Sequence, residues 1–238
     1  MTAKVATRSG FFLYMSLGFL AIALLGFSTT FFLPLARGTF VAPPVIYVHG
    51  ALLFAWLIFF IAQASLIRAR NVSVHRRLGW FGALLGIAIV ISGVAVSLHV
   101  VRRELAAGGG DVVLRQFVAD LLAMLTFGSL AAAAVVLRRD SESHKRLLLL
   151  ATIFVLGPAW LRFRHLFPAV ENPSMVFLII ADSLILVAIA RDLMAYKRVH
   201  PVYIWVGGFI IAVHMTVPSA SQSTAWLRVA RWLLGEAV

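Results

Sequence analysis

Seven long runs of apolar residues, separated by short polar segments, dominate the sequence. They fall near residues 11–33, 44–67, 78–99, 113–137, 146–164, 175–195 and 202–218. A helix needs about 20 apolar residues to cross the hydrocarbon core of a bilayer, so the pattern predicts seven transmembrane helices. The first run is too long for the core of a signal sequence, and we interpret it as a retained helix.

A different periodicity follows the seventh run, in the segment 224–235. Its apolar positions recur at helical spacing, at Trp226, Val229, Ala230 and Leu233. Arg228 and Arg231 lie on the opposite face, which is the pattern of an amphipathic helix. We expect this helix to lie in the outer membrane interface, with Trp226 and Trp232 as anchors.

The composition supports an integral membrane protein. The 238 residues are 62% hydrophobic and 13% charged, and none is cysteine, whereas soluble domains are about half apolar. We therefore predict an all-α fold in which residues 1–238 form a single transmembrane domain. The lack of cysteine excludes disulfides, iron–sulfur clusters and thiolate metal sites, so a bound metal would depend on His, carboxylate or carbonyl ligands.

Basic residues are concentrated in alternate loops. Of the 21 Lys and Arg residues, thirteen fall on one side of the predicted bundle: Lys4, Arg8, Arg68, Arg70, Arg76, Arg77, Arg138, Arg139, Lys145, Arg146, Arg191, Lys197 and Arg198. Cytoplasmic loops are rich in Lys and Arg, so we predict a multi-pass protein of the bacterial inner membrane with its N-terminus inside and its C-terminus outside. The net charge of +12 is spread over short loops, which argues against a nucleic-acid partner.

Two related motifs indicate an internal repeat of helix hairpins. His-Arg-Arg-Leu at 75–78 opens the third predicted helix, and His-Lys-Arg-Leu at 144–147 opens the fifth, 69 residues later. His200 opens the seventh. The second to seventh helices therefore form three hairpins, each with a basic loop, and repeats of this kind occur in polytopic membrane proteins.

The basic clusters at these helix starts have two interpretations. They can set topology and contact anionic lipid headgroups. Alternatively, they form a cytoplasmic docking surface for an anionic partner, such as a phosphate-bearing lipid or a quinone headgroup. The residues of that surface would be His75, Arg76, Arg77, His144, Lys145 and Arg146.

The other four histidines fall at one predicted depth, near the outer ends of their helices. They are His49, His99, His165 and His214. Imidazoles from different helices at matched depth can hold a metal or a haem inside a bundle. His49 and His214 form the best pair by depth, while His99 and His165 lie nearer the water. The alternative is that each His makes an ordinary hydrogen bond between helices.

Three further ionisable residues lie in the same outer half, Asp120, Arg162 and Asp182. A charge in the hydrocarbon region costs at least ~2.5–3.5 kcal/mol, so we expect Arg162 to pair with Asp182 or Asp120. Such a pair either joins helices or has a function, in which a carboxylate relays protons or orients a ligand His.

Glycine and proline indicate where helices approach or break. Glycines 79, 82, 86 and 93 share one face of the third predicted helix, which predicts close helix packing. The run Gly108–Gly110 predicts a flexible outer loop. Gly157-Pro158 and Gly207-Gly208 are candidate breaks in the fifth and seventh helices.

The chain resembles an uncharacterised family of bacterial polytopic membrane proteins. The similarity rests on Tyr-Val-His-Gly at 47–50, His-Arg-Arg-Leu-Gly-Trp at 75–80 and His-Lys-Arg at 144–146. His49, His75, Arg76, His144 and Arg162 match the pattern. The distribution of His over several helices is also loosely similar to membrane b-type cytochromes, a resemblance that implies haem ligation.

Two function hypotheses follow. The first is a membrane protein whose outer histidines bind a metal or b-type haem and serve electron transfer, with quinone as a candidate partner. The second is a small transporter or lipid-interacting accessory protein, in which Asp120, Asp182 and Arg162 line a path and the histidines titrate. The sequence lacks the Gly-x-Ser-x-Gly and His-Glu-x-x-His motifs, so a hydrolase is poorly supported.

Overall fold

The computed structural model describes residues 10–235, and this part of the chain consists of helices and turns. Its α-helices, in chain order, are α1 (Phe11–Gly26), α2 (Leu33–Ala36), α3 (Pro44–Arg68), α4 (Val72–Ala106), α5 (Gly110–Val136), α6 (Ser141–Val155), α7 (Gly157–Arg162), α8 (Pro173–Tyr196), α9 (Gly208–Gln222) and α10 (Thr224–Leu234). Short turns of other helix types cover Ser28–Phe32, Phe163–His165 and Tyr203–Gly207.

Six helical segments are long and apolar enough to cross a membrane. Four are α3, α4, α5 and α8, and the other two are Ser141–His165 and Tyr203–Gln222. A seventh is obtained if the bent pair α1 and Ser28–Ala36 is one span. Large apolar side chains such as Leu84, Ile91 and Leu125 are exposed on the bundle surface, which suits a surface in contact with lipid.

Residues 10–235 are therefore all helical, with six or seven segments that could cross a membrane, as expected of a multi-pass membrane protein. Its orientation stays a prediction, and two of the loop cations that support it, Lys4 and Arg8, lie outside the described residues. The starts of α4 and α6 and the segment that precedes the π-turn Tyr203–Gly207 meet at one end of the bundle, since His75 contacts His144 and His200 lies near Asp140. We call this the basic end.

Proline positions coincide with the irregular helices. The α1 axis bends by 47° into the segment Ser28–Ala36, where Pro34 lacks the N–H that would bond to the carbonyl four residues earlier. The same deficit at Pro158 leaves the carbonyl of Phe154 without its helical donor, and α6 gives way to α7 at Leu156. The predicted break at Gly157-Pro158 is confirmed, and at Gly207-Gly208 a π-turn passes into α9.

The broken span formed by α6 and α7 occupies the centre of the bundle. In its apolar window 61% of residues are buried, against 17–33% in the other five spans. α6 packs against α5, α8 and α1. On the α3 side, the Trp56 indole donates to Thr152 Oγ1 at 3.1 Å and its ring meets Phe127 edge-on at 5.1 Å. A buried indole needs such a partner, so this bond sets the height of α3 against α6.

Side-chain caps start two helices ahead of their apolar runs. Asn71 Oδ1 accepts from the backbone N–H of Val74, so α4 begins six residues before the predicted span. Asp140 Oδ1 accepts from the N–H groups of Glu142 and Ser143, and the Ser143 hydroxyl donates to Oδ2. That hydroxyl bond is the main reason that the pKa of Asp140 lies below its usual range. Such caps bond to N–H groups of the first helical turn that have no partner within the helix. The apolar pattern alone does not reveal where these caps lie.

The predicted glycine stripe on α4 is largely a packing surface. A Cβ added to Gly82 would lie 2.4 Å from the Phe59 ring, and one added to Gly93 would lie 2.0 Å from Met124 Sδ. Gly79 has open space around it. α4 also continues to Ala106 and α5 begins at Gly110, so the predicted glycine loop is a tight turn.

The predicted amphipathic helix is present as α10, but its packing face differs from the prediction. Leu227 and Ala230 are buried, whereas Val229 and Leu233 are exposed. The Trp226 indole donates to the Leu114 carbonyl at 2.7 Å, so this Trp is held by the protein and is not free to anchor in lipid. Trp232 is exposed, as an interfacial anchor would be.

An ion pair completes the α10 contact with α5. Arg231 Nη2 lies 2.6 Å from Asp111 Oδ1, although the sequence pattern placed Arg231 on the water-facing side. Leu227 and Ala230 contact Val101 and Leu114 in a small cluster separate from the main core. Helix α10 therefore covers the ends of α4 and α5 that lie away from the basic end.

We predict that Gly26→Ala destabilises the protein by about 1–3 kcal/mol, the usual cost of overpacking. A Cβ at Gly26 would lie 2.3 Å from the Ala159 carbonyl oxygen, a backbone atom that cannot rotate away. Gly18→Ala on the same helix is the control, because that position has open space and alanine favours a helix by ~0.5–1 kcal/mol. Thermal unfolding in detergent measures both, and equal effects would contradict the close α1–α7 contact.

Candidate functional site

A hydrogen bond to Ser92 holds the His49 side chain against α4 and determines which ring nitrogen carries the proton of neutral His49. Its Nδ1 lies 2.9 Å from Ser92 Oγ, and the same hydroxyl donates to the Ile89 carbonyl. A hydroxyl has one proton to donate, so Ser92 accepts from His49 Nδ1–H. The Nε2 of neutral His49 therefore carries a lone pair.

His214 forms an imidazole–carboxylate pair with Asp182, which we call the His–Asp pair. Nδ1 lies 2.9 Å and 3.1 Å from the two carboxylate oxygens. The imidazole also stacks on the Phe154 ring with centroids 5.0 Å apart and planes 7° from parallel. The pair joins α8 to α9, and Phe154 on α6 lies two residues before the break at Leu156.

His99 and His165 lie in other surroundings. His99 Nε2 is buried without a hydrogen-bond partner among the described residues. Its side chain lines an open groove of about 550 Å³ together with Arg102 and Arg103. His165 is exposed in the turn after α7, where Arg164 Nε lies 3.4 Å from its Nε2. The contacts of the four predicted histidines therefore define separate places rather than one.

A metal centre shared by these histidines is not assembled in residues 10–235. This part of the chain contains no group of three or more His, Asp or Glu side chains arranged to hold a metal ion. His49 contacts α4, whereas His214 contacts α6 and α8. Binding of a metal or of haem stays a prediction.

The predicted pairing of Arg162 is wrong. Asp182 is bonded to His214, and Asp120 accepts from Gln116 at 3.4 Å. Arg162 instead donates to the Pro158 carbonyl at 2.8 Å, and its guanidinium lies 4.2 Å from the centroid of the Phe27 ring. The Pro158 carbonyl one turn earlier in α7 and the aromatic face of Phe27 therefore satisfy the cation without a carboxylate.

Arg146, expected on an exposed docking surface, is instead the centre of a buried charged cluster. Its side chain is 1% exposed, as is that of Asp192. Nε and Nη2 of Arg146 donate to the two Asp192 oxygens at 2.8–2.9 Å, a bidentate pair. Nη1 donates to the Glu142 carbonyl and carboxylate. Such geometry is what a buried Arg requires.

Neighbouring side chains complete this charged cluster. Lys145 donates to the other Glu142 oxygen at 2.5 Å, and Arg191 donates to Asp192 at 3.1 Å. The Tyr196 and Tyr203 rings lie 5.7 Å and 5.5 Å from the Arg146 guanidinium. The Tyr203 hydroxyl is buried and has no hydrogen-bond partner among the described residues.

The equivalent histidines of the two repeat motifs meet at the basic end. The His75 and His144 rings are 6.4 Å apart and nearly perpendicular. His144 Nδ1 donates to the Ala134 carbonyl at 2.8 Å. Arg76 and Arg77 are exposed. Of the six residues predicted to form the docking surface, only these two have exposed side chains.

A cavity of about 460 Å³ opens beside the charged cluster. It is lined by Glu142, Arg146, Asp192, Tyr196, Arg198, Val199, His200 and Pro201. His200 Nδ1 accepts from the Val202 backbone N–H at 3.3 Å, so the ring proton of neutral His200 is on Nε2. Burial, and then the Arg146 charge, lower the pKa of His200 and favour this neutral form.

Sequence reasoning missed Asp192, Glu142, Tyr196, Arg198 and Tyr203. A signal existed for Asp192, which is a carboxylate near the end of the sixth predicted helix, beside Arg191 of the basic loop. Glu142 and Arg146 also have the i,i+4 spacing of a helical ion pair. No sequence signal indicates that α6 and α8 bring these groups together.

No protein-family model matches the chain, and no curated protein or solved structure is significantly similar to it.

We predict that Asp192→Ala destabilises the protein by about 3–5 kcal/mol, because it leaves a buried guanidinium without its bidentate partner. The double variant Arg146→Met/Asp192→Leu should lose less than Asp192→Ala, since it removes both buried charges. Glu104→Ala is the control: Glu104 pairs with Arg103 on the surface, and such pairs contribute at most ~1 kcal/mol.

Chemical unfolding of each variant in the same detergent measures these differences. If the double variant is less stable than Asp192→Ala, the cost of Asp192→Ala does not come from leaving the buried Arg146 charge unpaired.

Proposed function

We propose that this protein is a proton-translocating membrane carrier in which the His–Asp pair binds and releases the proton. The observation that carries the proposal is the 2.9 Å contact between His214 Nδ1 and Asp182 inside two membrane-crossing helices. This proposal develops the transporter hypothesis. It keeps Asp182 as a residue of the path and no longer includes Arg162.

The chemistry of the pair supports this role. Imidazole is the side chain whose charge changes between pH 5 and 8. With neutral His214, a carboxylate accepts one hydrogen bond; with protonated His214, the same contact becomes an ion pair. The side chains of His214 and Asp182 are 13% and 16% exposed, so the pair is shielded without being sealed from a proton donor. Ionisable groups in membrane helices commonly mark ion paths.

The surroundings of the pair supply elements that can move. Phe154 stacks on His214 and lies two residues before the break between α6 and α7. The π-turn Tyr203–Gly207 leads into the helix that carries His214. Transport sites often form at discontinuous helices. Protonation strengthens the α8–α9 contact and deprotonation weakens it, so the proton biases helix packing at a site next to a break.

Helix α8 links the pair to the basic end of the bundle. Asp182 and Asp192 are ten residues apart on this helix, about 15 Å along its axis. The first carboxylate holds His214 and the second holds Arg146. A shift of α8 that follows protonation of the His–Asp pair is therefore transmitted to the charged cluster.

The proposal predicts voltage-driven proton uptake in proteoliposomes that contain the purified protein, an internal pH-sensitive dye and a potassium diffusion potential. Wild-type protein should give uptake above empty liposomes. His214→Gln and Asp182→Asn should reduce it at least tenfold, because each removes a titrating partner.

His165→Gln is the matched control, since His165 is exposed and has no carboxylate partner among the described residues. It should keep wild-type uptake. Wild-type uptake no greater than that of empty liposomes, or full uptake by His214→Gln, would refute the proposal.

Haem or metal binding is the second candidate function. It is favoured by one observation: His49 and His214 both donate from Nδ1, which leaves Nε2 able to ligate, and metal-bound histidines usually have such a partner on the other nitrogen. If this role is correct, protein purified without added chelator shows a Soret band or Fe, Cu or Zn near one equivalent. Because His49 and His214 lie in separate places, the variant at the ligating histidine, His49→Ala or His214→Ala, should abolish it, with His165→Ala as the control. An absorbance and metal content equal to the buffer blank exclude this function.

A further inference from the structure

We propose that the cavity at the basic end binds an oxyanion, a phosphate or carboxylate group, through Arg198, His200 and Tyr196. This inference goes beyond the proposed carrier function, because it assigns a ligand class to the cavity beside the charged cluster, which helix α8 links to the His–Asp pair. The cavity holds about 460 Å³, which exceeds the volume of one such group and leaves room for the rest of a small molecule or a lipid headgroup.

The acceptors of the cavity are already in use. Both oxygens of Asp192 accept from Arg146, and one of them also accepts from Arg191. The two oxygens of Glu142 accept from Lys145 and Arg146 respectively. A ligand that enters the cavity therefore meets carboxylates whose charge is compensated.

Several donors of the cavity are free. His200 is fixed by its bond from the Val202 N–H, so its Nε2–H is available to a ligand. No described residue accepts a hydrogen bond from the Arg198 guanidinium or from the Tyr196 hydroxyl. Free donors beside carboxylates that are already paired with cations favour an anion, and a guanidinium matches a planar or tetrahedral oxyanion by donating two parallel bonds.

The charges of the cluster also favour an anionic ligand. Around the cavity, Arg146, Lys145 and Arg191 surround the carboxylates of Glu142 and Asp192. The positive charge of Arg198 is additional. Because Arg146 is 1% exposed and held bidentately, it fixes the wall of the cavity and is not the residue that captures the ligand.

Two sources supply this chemistry, a soluble oxyanion and the headgroup of an anionic lipid. Isothermal titration of inorganic phosphate into full-length protein tests the site. The protein is placed in nanodiscs of phosphatidylcholine alone and in nanodiscs that also contain phosphatidylglycerol. We expect saturable binding in the neutral nanodiscs. Unchanged binding with phosphatidylglycerol identifies a soluble ligand, and at least fivefold weaker binding identifies competition by the lipid headgroup.

The variants separate ligand contact from structure. Arg198→Gln should weaken phosphate binding at least tenfold, and Arg164→Gln, an exposed arginine in the turn after α7, should leave it unchanged. His200→Asn keeps an acceptor near the Nδ1 position but removes the Nε2–H donor, so it should weaken binding. His200→Gln places an amide donor near Nε2 and should restore much of it.

The result that overturns the inference is no saturable phosphate binding in neutral nanodiscs, or equal affinity in wild type, Arg198→Gln and His200→Asn. Thermal unfolding of each variant verifies that it is folded. His214→Gln separates this inference from the carrier function: it should bind phosphate like wild type while proton uptake is lost. Phosphate binding in a wild-type protein that moves no protons would leave the site standing and remove the carrier.

Discussion

The pairing of buried charge is the constraint on which this bundle depends. Arg146 lies where α6 and α8 meet, without water to solvate it, and an isolated ion there would cost several kcal/mol. Its five N–H groups are directed at Asp192 and Glu142. Because that geometry is bidentate, it fixes the rotation and the height of α6 against α8. The cavity lies beside this contact, and the Tyr203 ring, in the π-turn that leads into α9, lies 5.5 Å from the guanidinium.

The central position of α6 and α7 connects the two polar regions. Arg146 is at the start of α6, and Phe154, which stacks on His214, is near its end. Leu149, Leu150 and Ile153 between them are fully buried. A dry, closely packed segment transmits displacement because packed cores deform little. The break at Leu156 separates this closely packed segment from α7.

The two related motifs at 75–78 and 144–147 lie together at the basic end. His75 and His144 occupy equivalent places in their motifs and contact each other, but the residues that follow them have different surroundings. Arg77 is exposed, while its counterpart Arg146 is buried with Asp192. The two motifs are therefore similar in sequence but not in surroundings, because only Arg146 meets the Asp192 carboxylate of α8.

The sequence alone determined the class of protein and much of its framework, since apolar run length and helix breakers act locally. It predicted the long apolar helices, the presence of α10 and the break at Gly157-Pro158. Which side chains meet was decided only by the tertiary structure, because pairing depends on helix rotation and neighbour order, which no local pattern encodes. Thus Asp182 bonds His214 rather than Arg162, and Arg146 is buried against Asp192, 46 residues away.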